Sequence, residues 1–564
     1  MIISNTNKGI YFSWRDENNE RKSEVIPFSD YPPYFYIEEN AFQPDKIVKN
    51  DRWKNSKVYS IRYEEGDWSN LDGDKLVKVI CNHPSEIKTI SKEMSESYDT
   101  QTYEADVQYH YRASIDRFKN DVPYHEYDMR KWYWDMEWMQ GGEHDGAITC
   151  IVCYDNYDDE YIIYSWFPSD ELYERDTPVI DTDSKITMLT FQNEEMLIRT
   201  FINYCAAKDP DMLIAWFGNR FDLPKLLERS AYHNIDARLL SPVLEVSNYV
   251  YSVRDSKFKR DFYGPKEQPI KGRIVVSLDL AFERQWIDSQ RGTLPTLSLD
   301  YVSETILGNK KLVSEKFPEK NEFFKRAWEE DTDTYLKYAL IDVDLIRKID
   351  ENNNLTEAIT SLQRILKAPF EACFHATHMA SIYFMRNASW KAPTGGKRDG
   401  QDYEGALIYN PTSEETNGLH LNVAAFDFAG LYPSMMIARN ISWETKSNEP
   451  TEFAVNIATP RDFSPVEKHN MLYYKTDKLG LLPRSVMELK TLRNQYKTNM
   501  KNSSTKEEYN KWNNNQLAVK RLMASFYGIV GNQGFGWADI DLAASITASS
   551  REAIREAAFK VREL

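Results

Sequence analysis

Asp427-Phe-Ala-Gly-Leu-Tyr-Pro-Ser434 joins a carboxylate to a tight turn and then to an aromatic residue ahead of a proline. Upstream, Val423-Ala-Ala-Phe reads as an apolar strand that ends on Asp427. A metal-dependent phosphoryl transferase needs its carboxylate on such a rigid strand end, where it can hold a divalent cation against phosphate oxygens. The ring of Tyr432 stands close enough to police the sugar of a bound nucleotide. An ordinary strand–turn–helix has the same local pattern, so the accompanying residues decide between the two.

Far upstream, Tyr133-Trp-Asp-Met-Glu-Trp138 has period two. Strand side chains alternate, so Asp135 and Glu137 share one face and Trp134, Met136 and Trp138 the other. Two adjacent carboxylates repel unless a divalent cation lies between them. Leu213-Ile-Ala-Trp-Phe-Gly-Asn-Arg-Phe-Asp222 reads as a buried strand running into a loop that presents Asp222. In Tyr338-Ala-Leu-Ile-Asp342 the spacing of four places Tyr338 and Asp342 on one helical face, with Asp344 turned away.

Downstream, residues 475–540 read as two helices joined by the polar turn Asn502-Ser-Ser-Thr505. Arg493 and Lys497 lie four apart on the first. On the second, Lys520, Ala524, Tyr527 and Gly528 share a face. Three cations converging from two antiparallel helices suit a triphosphate, whose developing charge they stabilise. Arg493 and Lys497 alone would read as a solvated basic face.

Taken in this order, the motifs resemble those of family B DNA polymerases. Residues 427–434 resemble motif A, with Gly430 where Ser is usual. The D-x-E at Asp135 and Glu137, the F-D at Phe221 and Asp222, and the Y-x3-D at Tyr338 and Asp342 resemble the three motifs of the DnaQ-like 3′–5′ proofreading exonuclease. Ser298 to Gly308 is similar to a segment these enzymes have before the third motif. Tyr403-Glu-Gly-Ala406 resembles the Y-x-G-G/A motif, and residues 520–528 resemble motif B, with Ala524 in place of Asn. Phe217 stands where Asn is frequent.

The resemblance implies that Asp135, Glu137, Asp222 and Asp342 bind two metals, Mg²⁺ with Mn²⁺ as a substitute, and that Tyr338 orients the attacking water. It implies a metal ligand and catalytic carboxylate at Asp427 and nucleotide contacts at Leu431, Tyr432, Arg493, Lys497, Lys520, Tyr527 and Gly528. Tyr432 would exclude a ribose 2′-OH. DNA contacts are implied at Tyr403, Gly405 and Phe221. Primer–template DNA and dNTPs are the implied partners, a sliding clamp is a further candidate, and tailed-phage replicative polymerases are the nearest kind.

The expected fold is multi-domain, α/β and α+β. It comprises an N-terminal α+β domain (1–125), an RNase H-like exonuclease domain (126–352) and a helical return (353–398). A partial palm with a ferredoxin-like sheet (399–474), helical fingers (475–540) and a palm continuation (541–564) follow. Residues 353–389 read as one helix. The net charge of −17 argues against a simple DNA-coating protein but not against an enzyme that gathers carboxylates around metals. Five scattered cysteines suit a reducing compartment. Neither a membrane span nor a signal peptide is read, so a cytoplasmic site, the host's for a phage protein, is expected. Cys150 and Cys153 read as buried structural residues; Cys373, His375 and His378, a weak metal candidate with no second pair at zinc spacing, read as helix surface or core. The basic loop 391–400 lacks P-loop spacing.

The second polymerase carboxylate comes from motif C, YxDTDS, in the family. The one Asp-Thr-Asp-Ser here, at 181–184, precedes the second exonuclease motif and lacks the Tyr, and reads as a solvated loop. A second polypeptide carrying motif C and the thumb is therefore expected, as in a fragment or a split enzyme. A stand-alone exonuclease and an RNA- or DNA-binding regulatory protein are the competing readings.

Overall fold

Bulky residues alternating with carboxylates give the Lys131–Trp138 strand two different faces, and the sheet is built around it. The computed structural model describes residues 1–41, 62–119, 122–167, 176–247, 267–288, 292–308, 311–396, 402–407 and 417–563. These divide into two compact units: 1–27, 123–364 and 368–374 form one, and 28–122, 365–367 and 375–564 the other.

The first unit holds a six-stranded mixed sheet in the order Lys185–Phe191, Glu160–Trp166, Ile148–Asp155, Lys131–Trp138, Met212–Ala215, Ile274–Ser277. Lys131–Trp138 runs antiparallel to Ile148–Asp155 and parallel to Met212–Ala215. On one face, buried Trp134 stacks on Phe201 of the Glu194–Lys208 helix, centroids 5.8 Å apart. On the other face lies the Thr332–Asn353 helix, whose Asp350 accepts a 2.7 Å hydrogen bond from Tyr133. Cys150 and Cys153 are buried free thiols within the sheet, opposite Glu137 and Trp134 respectively.

The expected N-terminal domain over 1–125 is divided. Its first 27 residues form an antiparallel three-stranded sheet within the first unit. Ion pairs tie it there: Arg15 to Asp211 at 2.5 Å, buried, and Arg21 to Asp209 at 2.5 Å, partly buried. Buried charges kept in pairs fix register even where their net stabilisation is small.

In the second unit, residues 28–122 form a four-stranded sheet packed on the Pro84–Tyr98 helix through Phe35, Ile37, Val79 and Ile90. That helix starts with Pro84 behind a capping box formed by His83 and Glu86. Residues 57–61 of the expected Lys57–Arg62 strand lie outside the described residues, as do 397–400 of the basic loop. The remainder of the unit is centred on Phe384, Trp443, Phe526 and Trp537, with Phe384 and Phe526 centroids 4.6 Å apart. Helices Leu481–Lys501 and Lys506–Val530 flank the polar turn, where Thr505 caps the second by accepting from the Glu508 N–H at 3.1 Å. Residues 446–474 contribute a small antiparallel sheet of three short strands.

Two expectations are corrected. The helix over 353–389 is interrupted, giving Leu355–Leu366 and Ala376–Asn387 around a short 3-10 turn at Phe370–Phe374. Pro369 has no N–H to donate and disfavours helical geometry in the residue before it, and Lys367 takes a positive φ of 48°. The strand over 423–427 does not form. Residues 423–428 are irregular and exposed, because no neighbouring strand pairs with them among the described residues. No helix among the described residues is long and apolar enough to cross a membrane.

Candidate active sites

Strand alternation and helix periodicity bring the first carboxylates together. Asp135 and Glu137 project from one face of Lys131–Trp138, and Asp342 from the Thr332–Asn353 helix packed against that face. One carboxylate oxygen from each lies within 4.8 Å of the others. Asp222 opens the Asp222–Tyr232 helix and completes the set. All four line a cleft of about 300 Å³ together with Phe217, Phe221 and Tyr338. Tyr338 is buried, its ring against Phe323 at 5.2 Å. Asp344 faces elsewhere, accepting from the Tyr161 hydroxyl at 2.8 Å.

Burial and mutual repulsion oppose the negative charges of this cleft. Burial, and then the charges of Asp222, Glu137 and Asp342, push Asp135 well above the usual carboxylate range. Burial and Asp342 push Glu137 up to about 8, and burial pushes Asp222 up to about 6. Asp342 is raised by burial, against Lys311. Four oxygen-donor groups that repel one another out of water are the donor set a hard divalent cation takes. The residues present therefore fit Mg²⁺ or Mn²⁺.

Lys311 belongs to none of the sequence motifs, yet it reaches the cleft. Its ammonium pairs with Asp342 and donates to the Tyr338 hydroxyl at 3.1 Å. Burial opposes its charge, but Asp342, Tyr338 and Asp135 raise its pKa overall. Its signal was indirect: four converging carboxylates require a counter-charge, and Lys311 lies three residues after the Gly308 that ends the Leu299–Leu307 helix. Replacing Lys311 by Ala is expected to cost about 3 kcal/mol of stability in EDTA, because Asp342 loses its buried partner. Added Mg²⁺ should recover part of that loss. Thermal unfolding in EDTA and in Mg²⁺ checks both, and equal losses in the two buffers would rule out the counter-charge role.

In the second unit, Tyr432, Tyr527 and Tyr403 converge. The Tyr432 and Tyr527 rings are 4.6 Å apart, and the Tyr403 and Tyr527 hydroxyls are 3.0 Å apart. Leu431 and Tyr432 begin the Leu431–Ala438 helix, and Gly430 before it has φ +69° and ψ 57°. That left-handed conformation explains glycine at 430, since a Cβ there is strained. On Lys506–Val530, Lys520, Ala524 and Gly528 form an exposed strip beside half-buried Tyr527. Arg493 donates to Gln516 at 3.2 Å, which ties Leu481–Lys501 to that helix, and Lys497 lies one turn further along.

Gly405 and Tyr403 sit in a segment held by a residue that the motifs did not flag. Buried Arg551 donates to the carbonyls of Glu404 at 2.7 Å, Gly405 at 2.5 Å and Thr459 at 2.8 Å. Its sequence signal is the pair Arg551 and Arg555, four apart on one face of the Ile540–Glu563 helix. Asp427 stands apart from this order: it is exposed on the irregular stretch 423–428. Asp181 and Asp183 are exposed in a loop, where the Ser184 hydroxyl donates to Asp159 at 2.6 Å. Among the described residues, no metal-competent group of His, Cys, Asp and Glu includes Cys373, His375 or His378.

Comparison with known proteins follows this division. The family described as "DNA polymerase family B" matches residues 384–563, and "DNA polymerase family B, exonuclease domain" matches 146–285, together more than half of the chain. A DNA polymerase of Pyrococcus glycovorans is 24% identical over 98% of this chain and 66% of its own length. The DNA polymerase delta catalytic subunit of Plasmodium falciparum is 27% identical over 66% of this chain and 34% of its own. The DNA-directed DNA polymerase of Escherichia phage RB69 is 24% identical over 62% of this chain and 39% of its own. The chain thus spans from a third to two thirds of these relatives. The solved family B DNA polymerase from Pyrobaculum calidifontis shares the fold, with a TM-score of 0.71 and 19% identity over 100% of this chain and 71% of that one.

Proposed function

Because this chain belongs to the family B DNA polymerases, we propose that it removes nucleotides from DNA 3′ ends and contributes the nucleotide-binding side of a template-directed DNA synthesis site used in replication. The observation that carries the exonuclease reading is the convergence of Asp135, Glu137 and Asp342 within 4.8 Å of one another, beside Asp222 and Tyr338. A bound divalent cation supplies Lewis-acid stabilisation of the phosphate oxygens. Asp135, Glu137, Asp222 and Asp342 would hold it, and the Tyr338 hydroxyl would orient the attacking water. Phe217 and Phe221 offer ring faces to an unpaired base, the sequence-tolerant contact that single strands use. Residues 126–352 form the exonuclease domain in this reading.

For synthesis, 399–474 and 541–564 form the palm and 475–540 the fingers. Arg493, Lys497 and Lys520 present positive charge to the triphosphate of a dNTP. Tyr527 and Gly528 offer a flat surface to the nascent base pair, Tyr403 and Gly405 meet the DNA, and Leu431 and Tyr432 border the sugar. Asp427 is one catalytic carboxylate. The second comes from a segment outside residues 1–564, a motif C with its thumb. What supports this is the stretch before Asp427, which pairs with no strand among the described residues: Leu419, Leu421, Val423 and Phe426 are between 75% and 86% exposed. An apolar run with free backbone edges is the template for strand addition.

A second reading is favoured by the contrast between the sites. The exonuclease carboxylates are gathered in one cleft, with Glu137, Asp222 and Asp342 buried, whereas Asp427 is exposed, so a stand-alone 3′–5′ exonuclease is the alternative. A primer–template with a mismatched 3′ end, incubated with the chain and Mg²⁺ with and without dNTPs, separates them. The proposal expects shortening by the chain alone, and extension once a peptide or polypeptide bearing the second carboxylate is added. No extension with any such partner leaves the exonuclease alone standing, and no shortening removes both.

A further inference from the structure

One buried charge in the first unit has no role in the carboxylate cluster. Asp279 lies in the first turn of the Leu278–Asp288 helix and is fully buried. Neither of its carboxylate oxygens has a hydrogen bond of ordinary geometry. Burial pushes its pKa up to about 7, opposed by the Arg220 charge and by weaker approaches of the Leu280 N–H and the Ser277 hydroxyl. The Arg220 guanidinium faces it at 3.6 Å, and that side chain is 29% exposed. A buried carboxylate without full hydrogen bonding costs free energy, so what it holds in place is informative.

The loop 216–221 is held by Ser277 and the start of the Leu278–Asp288 helix, and the carboxylate meets it at Arg220. The Asp279 N–H donates to the Trp216 carbonyl at 3.1 Å. The Asn219 N–H donates to the Ser277 hydroxyl at 3.2 Å. The carboxylate of Asp279 then meets Arg220 at the middle of the loop. The same guanidinium lies 5.8 Å from the centroid of the Phe217 ring, and Phe217 meets Phe221 edge to face at 5.9 Å. Phe217, Phe221 and Asp222 line the cleft. A continuous set of contacts therefore runs from the buried carboxylate to the aromatic wall.

We infer that Asp279 is a positioning residue of this cleft: through Arg220 it sets the Phe217–Phe221 wall against which the 3′-terminal base of a DNA strand stacks. The inference rests on the exonuclease reading of the cleft. A displaced wall loosens the hold on the terminal nucleotide, while Asp135, Glu137 and Asp342 stay on their strand and helix and Asp222 stays on the Asp222–Tyr232 helix that it opens. The effect falls on substrate grip rather than on chemistry.

The test uses the full chain with Arg220→Ala, Asp279→Asn, Arg220→Lys and the double variant Arg220→Ala/Asp279→Asn. Each of the first two is expected to raise KM for a single-stranded oligonucleotide roughly tenfold, the size of one lost charge-assisted contact. Their kcat should stay within about twofold of the parent, as for a loss of uniform binding. The double variant should be no worse than either single, since both break one link, and Arg220→Lys should recover part of the loss. Binding of a fluorescein-labelled oligothymidylate in EDTA, read by anisotropy, should weaken by the same factor. An unchanged KM in Arg220→Ala, or penalties that multiply in the double variant, would overturn the inference. So would a lowered Tm in Asp279→Asn with unaltered KM, which would mark that residue as structural only. If the unsubstituted chain cleaves no DNA, the exonuclease reading fails, and the anisotropy series alone decides this one.

Discussion

Asp135→Ala is expected to lower 3′-nucleotide removal by on the order of 10³-fold, the rate equivalent of the several kcal/mol that a correctly held divalent cation supplies. Asp135 is the residue to change because it is one of the three carboxylates that converge within 4.8 Å, and burial, Asp222, Glu137 and Asp342 all oppose its charge. The same substitution removes one repelling carboxylate, so the apo protein should not lose stability and could gain it. This pairing of effects is diagnostic. A nuclease assay on a 5′-labelled oligonucleotide, beside thermal unfolding in EDTA, measures both. Retained cleavage would sink the assignment. Lost cleavage with a large fall in Tm would show that the variant had failed for a structural reason.

Tyr432→Ala is expected to relax sugar selection by on the order of a hundredfold, the range of discrimination that a single apolar wall provides. The structure places Tyr432 at the start of the Leu431–Ala438 helix, with its ring 4.6 Å from that of Tyr527. Tyr527 in turn lies 3.0 Å, hydroxyl to hydroxyl, from Tyr403. A ring braced in this way resists displacement by a 2′-hydroxyl, whereas alanine leaves that volume open. The measurement is the ratio of kcat/KM for dNTP and rNTP incorporation in the enzyme completed with its second carboxylate. An unchanged ratio would refute the steric role. A fall in both values together would mean that Tyr432 supports the helix start and not the sugar.

The parts of the molecule that were legible in sequence are those set by local rules. Asp135 and Glu137 share a face because strands alternate, and Tyr338 and Asp342 do because helices repeat near four. These rules hold whatever the rest of the chain does. Lys311 was not legible, since a loop brings it to Asp342 from 31 residues away in sequence and no spacing rule covers that distance. The first 27 residues belong with 123–364 through Arg15 and Arg21, whose partners Asp211 and Asp209 are 196 and 188 residues away. The break before Ala376 could have been read, because Pro369 stands in the middle of the expected helix, but strong apolar periodicity on both sides masked it. The strand before Asp427 failed for the opposite reason. Its sequence is strand-like, but a strand also requires a neighbour with which to share hydrogen bonds.

That same stretch has a consequence for the protein as a colloid. Leu419, Leu421, Val423, Phe426 and Phe428 form an exposed run with little charge that pairs with no strand among the described residues, which is the profile of a segment that seeds self-association. At neutral pH a net charge of −17 holds the copies apart. That repulsion fades as the solution is acidified towards the isoelectric point near 5.2. The shelf life of the isolated chain is therefore governed by its distance from that pH, with low ionic strength extending the reach of the repulsion.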